Sequence, residues 1–438
     1  MRKRLTLLLI LVFLTASCLS VSKSAFSSAD IVEDSWASKA SMKVARSGLG
    51  VAVVNGKIYA IGGKTQSGIV GTNEEYDPET DTWTYKTPMP TPRDGFGIAV
   101  YRNKIYCIGG VNCNATEVYD PATDTWETKA SMPTARWQLE ANVVNEKIYL
   151  MGGEPNRTLN EVYDPATNSW ITKASIPYIE WGNFHQAGVY TASVVIDDQI
   201  YWIGIVGFFY SPLGFKLLNQ QYSPENDSWS LRAPPPSYIT PEVSGVTTGV
   251  WAPKRIYVFG DDGYNSVYDP ESDTWRYGNR ISPTRCDFGV AVVNDELYVI
   301  GGGYLWSASD VNEQYTPFGY GTVPPKVEVI SPENGNCTSG NVSMAFTINK
   351  PTTWMGYNLD GQDNLTISGN TTLSELSNGL HNVTVYARDK FENTGASEPI
   401  SFNVELPEPF PTLLVVASAI TVAVIGAGLL FYFKKRKR

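Results

Sequence analysis

The chain has 438 residues, 42% hydrophobic and 18% charged, with 44 Asp and Glu against 34 Lys and Arg for a formal net charge of −10. An acidic balance argues against nucleic acid or an anionic membrane surface as partner, and this length predicts two or three folded units rather than one. Two histidines and five cysteines are too few for a histidine-rich metal centre, a readily assembled Ser-His-Asp triad or a disulfide framework.

The N-terminal MRKRLTLLLILVFLTASCLS places Arg2, Lys3 and Arg4 before an apolar run that ends in small residues. That is the form of a secretory signal peptide, expected over residues 1-24. Cys18 leaves with it. The other cysteines, Cys107, Cys113, Cys286 and Cys337, follow no regular spacing; a Cys107 to Cys113 bridge stays open, and no CxxC pair suggests a metal site. Eight of the 34 basic residues lie at the two chain ends, so 26 remain against 44 acidic ones and the part between stands near −18.

From Ser35 to Tyr320 the sequence repeats itself. Tryptophans recur at Trp36, Trp83, Trp126, Trp170, Trp229 and Trp275. A strand ending in glycine recurs as KIYAIGG (57–63), KIYCIGG (104–110), KIYLMGG (147–153), QIYWIGI (199–205), RIYVFGD (255–261) and ELYVIGG (296–302), each followed by a turn such as VYDPATDTW or, last, a degenerate QYTPFGY. Each unit reads as four short strands joined by Asn, Asp, Gly and Pro turns. The Asp-Pro step fits a tight turn in which the Asp oxygen accepts nearby backbone N–H bonds. A strand such as IYCIG, apolar at nearly every position, is expected to be buried on both faces. The glycine pairs lead into a loop and another strand, not a helix, so they do not make a phosphate loop. They are expected to allow close backbone approach and a sharp exit from a buried strand.

A hydrophobic strand ending in Gly-Gly, then Tyr-Asp-Pro, then Trp, at a period in the forties, resembles the kelch repeat. The resemblance implies an all-β fold, a six-bladed kelch β-propeller over residues 30-320 with one four-stranded blade per repeat around a central channel. Because the chain begins with an orphan fourth strand (SWASKASM, 35–42) and its sixth unit lacks one, the N-terminal strand is expected to close the last blade and join Trp36 to the sheet at 285–317. Relatives of this kind often bind partners on the face made by the loops entering each blade and the loops between second and third strands. That face would carry Arg46, Arg93, Arg136 and Arg285, with Trp137 and Trp306 in equivalent loops, as candidate ligand contacts; the repeat-matched arginines also read as blade scaffold. The fourth unit is longer than its siblings, with a Trp170 to Trp229 spacing of 59 residues, and its extra length is expected in those two loop classes. There Tyr178, Trp181, Phe184 and His185, then Phe208, Phe209, Tyr210 and Phe215, make either an aromatic cluster covering an irregular blade or a recognition surface for a glycan or extended peptide. Trp181, His185 and Tyr210 join the candidate contacts. His381 reads as structural.

No catalytic residue, cofactor or metal ligand is assigned. The alternative to recognition is a surface carbohydrate-active enzyme, epimerase-, sialidase- or oxidase-like, on the same propeller. The paired histidines of the galactose oxidase copper site and the Asp-box turns of sialidases are both missing.

A linker at 321-325 leads to residues 326-406, which give about seven short strands and read as a small β-sandwich. GLHNVTVYARDKFENTG resembles the closing strands of immunoglobulin-like modules of prokaryotic surface proteins. Glycosylation sequons stand at Asn114, Asn156, Asn226, Asn336, Asn341, Asn364, Asn370 and Asn382. Residues 410-433 hold no charge and precede KKRKR at 434-438, the pattern of a transmembrane helix with a basic cytoplasmic tail. The expectation is a single-pass protein of the cell membrane, N-terminal ectodomain outside and C-terminus cytoplasmic, whose partner is an extracellular protein or glycan.

Overall fold

The computed structural model describes residues 32–177, 179–181, 184–186, 190–207, 215–236, 244–304, 307–407 and 412–436. The expected signal peptide and Tyr178, Phe208, Phe209, Tyr210 and Trp306 lie outside them.

Residues 33–320 form six four-stranded antiparallel sheets. Their first strands are Gly50–Val54, Gly97–Tyr101, Glu140–Val144, Tyr190–Ile196, Ser244–Thr247 and Gly289–Val293, and these lie side by side in a closed order, the sixth touching the first. The second strands are buried throughout, as their unbroken apolar sequence requires: Ile58, Ala60 and Ile61 are fully enclosed, as are Ile105, Cys107 and Ile108. Each interface between neighbouring sheets holds its own core. Ala52, Tyr59 and Ile61 of sheet one meet Ile105, Cys107 and Tyr119 of sheet two, and the ring ends where Tyr298 and Ile300 of sheet six meet Val51, Ile58 and Tyr76 of sheet one.

The expected closure is present. Ser35–Lys39 is the outer strand of sheet six, antiparallel to Asn312–Thr316 with Trp36 opposite Tyr315. Its backbone bonds satisfy what would otherwise be an open sheet edge.

The Tyr-Asp-Pro…Trp motif is the clasp between sheets. In sheet one the Tyr76 hydroxyl donates to Asp81 Oδ1 at 2.6 Å, the same oxygen accepts the Ala40 N–H at 2.8 Å, and the Trp83 indole donates to the Ala40 carbonyl at 2.7 Å. The arrangement recurs at Asp124, Asn168, Asp227 and Asp273, and Asp34 with Trp36 supplies it for sheet six. All six turn residues have φ near +50°, a region that Asp and Asn enter at least cost among side chains with a Cβ. Within the turns, Asp77, Asp120, Asp164 and Asp269 accept the N–H two residues on, as expected.

These clasps carry a pH signature. The Tyr76 and Tyr268 hydroxyls hold Asp81 and Asp273 below the ordinary carboxylate range. A depressed folded pKa contributes stability that is complete above the unfolded value of about 3.9 and is lost as pH falls through the folded one. The thermal midpoint is therefore expected to hold from pH 6 to about 4 and fall below it, less steeply in an Asp81→Asn, Asp273→Asn variant, since Asn168 already serves in this place. A midpoint that falls mainly above pH 5 would count against the clasps.

One expectation needs correction. The extra length of the fourth unit is partly strand: Gln199–Gly207 and Phe215–Ser223 extend the hairpin, so Phe215 opens a strand. On the bridge that stayed open, no disulfide joins the described cysteines. Cys107 is sealed in the sheet core, while the Cys113 sulfur accepts from Arg93 Nη1 and the Ala115 N–H.

Residues 327–404 form two sheets of three and six strands over one core that includes Met344, Val383, Val385 and Phe402. The count exceeds the expected seven because pairs and triplets such as Asn336–Cys337 and Thr394–Ala396 also pair. Residues 321–325 are packed rather than free. Gly321 N donates to the Trp251 carbonyl and its carbonyl accepts from Asn393 Nδ2. Trp251 and Tyr320 both meet Phe391 edge-on, and buried Asp295 accepts the N–H groups of residues 249–252 to hold the Trp251 loop. Lys350 and Asp389, fully enclosed, pair beneath it at 3.5 Å. The second module is thus seated against the ring. His381 is structural, with Nδ1 on Asp360 at 2.6 Å and Nε2 on the Ser377 carbonyl.

The chain ends in one helix, Thr412–Lys435. Its side chains are described only from residue 420, and among the described residues no helix is long and apolar enough to cross a membrane.

Candidate functional site at the mouth of the ring

The four repeat-matched arginines do not face solvent. Arg46, Arg93, Arg136 and Arg285 are at most 2% exposed, and each pairs with a buried glutamate of its own sheet: Glu74 at 3.0 Å, Glu117 at 2.9 Å, Glu161 at 2.8 Å and Glu313 at 2.6 Å. Arg46 also donates to the carbonyls of Ala60, Gly62 and Thr72. Burial pulls the Arg46, Arg136 and Arg285 pKa values down and the glutamates push them back up. They are scaffold, and as ligand contacts they are withdrawn. Sheets four and five lack both members at once. Gln220 and Ser266 stand in the glutamate's register, and Gln220 Oε1 and Ser266 Oγ have no hydrogen-bond partner among the described residues.

What each arginine does is fix a loop. The residue after it is tied to the residue just past the glycine pair: Ser47 to Lys64, Trp137 to Glu154 and Cys286 to Gly303 by paired backbone bonds, and Asp94 O to Val111 N. Gly63, Gly110 and Gly302 reach across to the next sheet and donate to the carbonyls of Arg93, Arg136 and Arg46. Gly62 and Gly63 have φ of +63° and +94°, and a Cβ on them would lie 2.7 Å from Arg93 O and 2.8 Å from Ser47 O. The glycines are spacers between sheets, as the sequence implies. A belt of backbone bonds links the entering loops, from Gln138 N to Gly95 O, Gly95 N to Gly48 O, and Gly48 N to Asp287 O.

Inside this belt is a cavity of about 440 Å³ lined by Ser47, Lys64, Asp94, Trp137, Gln138 and Asp287, among others. Of the residues singled out from sequence, Trp137 is there and is 37% exposed. Asp94 and Asp287 were missed, although each follows a repeat arginine by one or two positions. Partial burial raises the Asp94 carboxyl; Asp287, exposed at the rim, is shifted the same way by its surroundings and then by the Asp94 charge, with Lys64 opposing both. A second cavity lies among the first strands, lined by Val51, Val194, Val246, Thr247 and Val290, among others. Beside it, in the seam between sheets three and four, Glu140 accepts from the Ser193 hydroxyl, and burial pushes its carboxyl up to about 7.

Trp181 and His185 fall on a short hairpin, Ile179–Trp181 with Phe184–Gln186; their side chains lie outside the description. Among the described residues no group of three or more His, Cys, Asp and Glu is placed to hold a metal ion.

Residues 25–153 match the KLHDC2/KLHL20/DRC7 Kelch-repeats domain, and residues 284–317 match the Kelch motif. Halomucin of Haloquadratum walsbyi (strain DSM 16790 / HBSQ001) is 31% identical over 127 residues, which is 27% of this chain and 1% of halomucin. Among solved structures, a fungal alcohol oxidase of the AA5 family in complex with copper superposes with a TM-score of 0.51 at 13% identity, over 84% of this chain and 99% of its own. YjhT covers 62% of this chain and 95% of its own at 16% identity, with a TM-score of 0.49. At such identities the oxidase speaks for the fold alone. Two stretches of this all-β chain, residues 25–153 and 284–317, are thus similar to kelch repeats.

Proposed function

We propose that the six sheets are the blades of a kelch propeller and that the protein is a membrane-anchored extracellular recognition protein. Its propeller would take a protein or glycan ligand at the mouth of the channel. The observation that carries this is the mouth itself: a half-open cavity with one exposed tryptophan and a few convergent polar groups, on loops locked by buried ion pairs. Sites of that composition are the usual places for ligands, and an exposed aromatic in one supplies contact area at low entropic cost.

The anchor reading rests on the 24-residue helix, about 36 Å long at 1.5 Å per residue, whose Val422, Leu430 and Phe431 are 70–78% exposed and whose last turn holds Lys434 and Lys435. A helix apolar all round needs lipid or protein about it. The sequon asparagines are all exposed, five of them on the second module, which fits a sugar-clad immunoglobulin-like stalk facing outward.

In binding screens of the purified chain against glycans and envelope proteins, Trp137→Ala is expected to weaken the captured ligand by about tenfold or more with an unchanged melting point. Equal affinity would remove the mouth from consideration. The paired carboxylates of Asp94 and Asp287 favour one second reading, acid–base chemistry on a bound sugar; turnover of a captured glycan, abolished by Asp94→Asn, would establish it.

A further inference from the structure

We infer that the mouth takes a cation: a primary ammonium, carried on a sugar ring or on a lysine-type chain, seated between Asp94 and Asp287 with its carbon skeleton against Trp137. This rests on the reading of the mouth as the recognition site and specifies its chemistry.

The charge count in the cavity leads there. Two carboxylates line it and one amine, the exposed Lys64. The arginines of the entering loops are each matched by a glutamate, and Arg157, which lines an adjoining pocket, pairs with Glu154. An anionic ligand would therefore meet net negative charge in a recessed place, where repulsion is strongest. A neutral one would leave the charge of the half-buried Asp94 unmatched, while Asp287 is open to water. Asp94 lines the cavity, and its Oδ1 accepts no hydrogen bond among the described residues, so the carboxylate keeps acceptor capacity for a donor.

Trp137 points the same way. It stands on the same cavity, is 37% exposed, and is held by two backbone bonds to Glu154. An indole face next to carboxylates favours a cation with an attached apolar body. The position of Asp94 is built in as well. Gly48, at φ +60°, lies against it, and a Cβ there would come within 3.3 Å of Asp94 Cβ and 3.9 Å of Oδ2. The surrounding net charge, near −18 without the basic ends, would draw cations toward the surface.

The probes are a glucosamine hexamer, its N-acetylated counterpart and hexalysine, titrated calorimetrically into the full chain. At least one amine probe is expected to bind about tenfold or more tighter than the neutral hexamer; which one does so distinguishes a sugar from a peptide source. Asp94→Asn with Asp287→Asn should erase that preference. Lys64→Glu, at an exposed position that spares the fold, should tighten amine binding several-fold. Neutral and amine hexamers binding equally, both weakened by Trp137→Ala, would overturn the cation and leave the mouth standing. Amine binding indifferent to Asp94, Asp287 and Trp137 would place it elsewhere on the acidic surface and overturn both readings. No binding of any probe would overturn the inference.

Discussion

Arg93→Ala is expected to lower the unfolding free energy by about 3–5 kcal/mol, the usual cost of removing one partner from an enclosed ion pair. The reason is what stays behind. Glu117 would keep its charge in a place 4% exposed, and the carbonyls of Cys107 and Ala115, which now accept from the guanidinium at 3.1 and 3.0 Å, would lose that donor, leaving Ala115 only the Gly109 N–H. Replacing both Arg93 and Glu117 by apolar residues of similar volume should recover most of the loss, because the unmatched charge goes with them. Sheets four and five show that the fold tolerates losing both members together. Urea unfolding of the single and double variants checks this; a single variant within 1 kcal/mol of the parent would show that the pair is ornamental. Lys in place of Arg should not rescue it, since a single ammonium cannot serve the carboxylate and the separate carbonyls together.

Deleting residues 33–39 should be more damaging still. Sheet six would lose its outer strand, leaving Asn312–Thr316 as an open edge, and the clasp to Asn279 made by Asp34 and Trp36 would vanish. Trp36 also packs on Tyr315 at 4.9 Å and on Phe259 at 5.7 Å, so the seam between sheets five and six would lose apolar cover. The expected result is an aggregated product or a thermal transition lowered by more than ten degrees, against an unchanged far-ultraviolet strand signal if any product stays soluble. A truncated chain that melts with the parent would mean that the ring does not depend on this closure. The edge exposed by the deletion is the kind that recruits other strands, so aggregation and destabilisation share one cause here.

Much of this architecture was readable from sequence because it is carried by repeated residues with one local job each. The Tyr-Asp-Pro…Trp string gives the turn, the positive-φ Asp and the indole donor of the clasp, and the missing fourth strand of the last unit pointed to Trp36. The site was harder to read. The arginines stood out since they repeat, and they repeat because they are scaffold. Asp94, Trp137 and Asp287, which line the cavity, differ between units, and nothing local marks them except their place one or two residues past an arginine. That offset was the available signal. Their repetition pointed to scaffold but not to the partner, since the glutamate that draws each arginine in lies 24 to 28 residues away in sequence, as in Arg93 to Glu117 and Arg285 to Glu313. The absence of both partners from sheets four and five is the same signal in reverse, and it marks the side of the ring where the longest strands occur.

The central claim is that recognition takes place at the mouth, on residues that the buried pairs position. A photo-crosslinking amino acid placed at position 137, and in a second sample at position 85, tests this in the cells that make the protein. Trp137 lines the cavity, whereas Tyr85 is 54% exposed on the outer strand of sheet one. The account predicts a discrete adduct from position 137 and none from position 85. Adducts from position 85 with none from position 137 would contradict it.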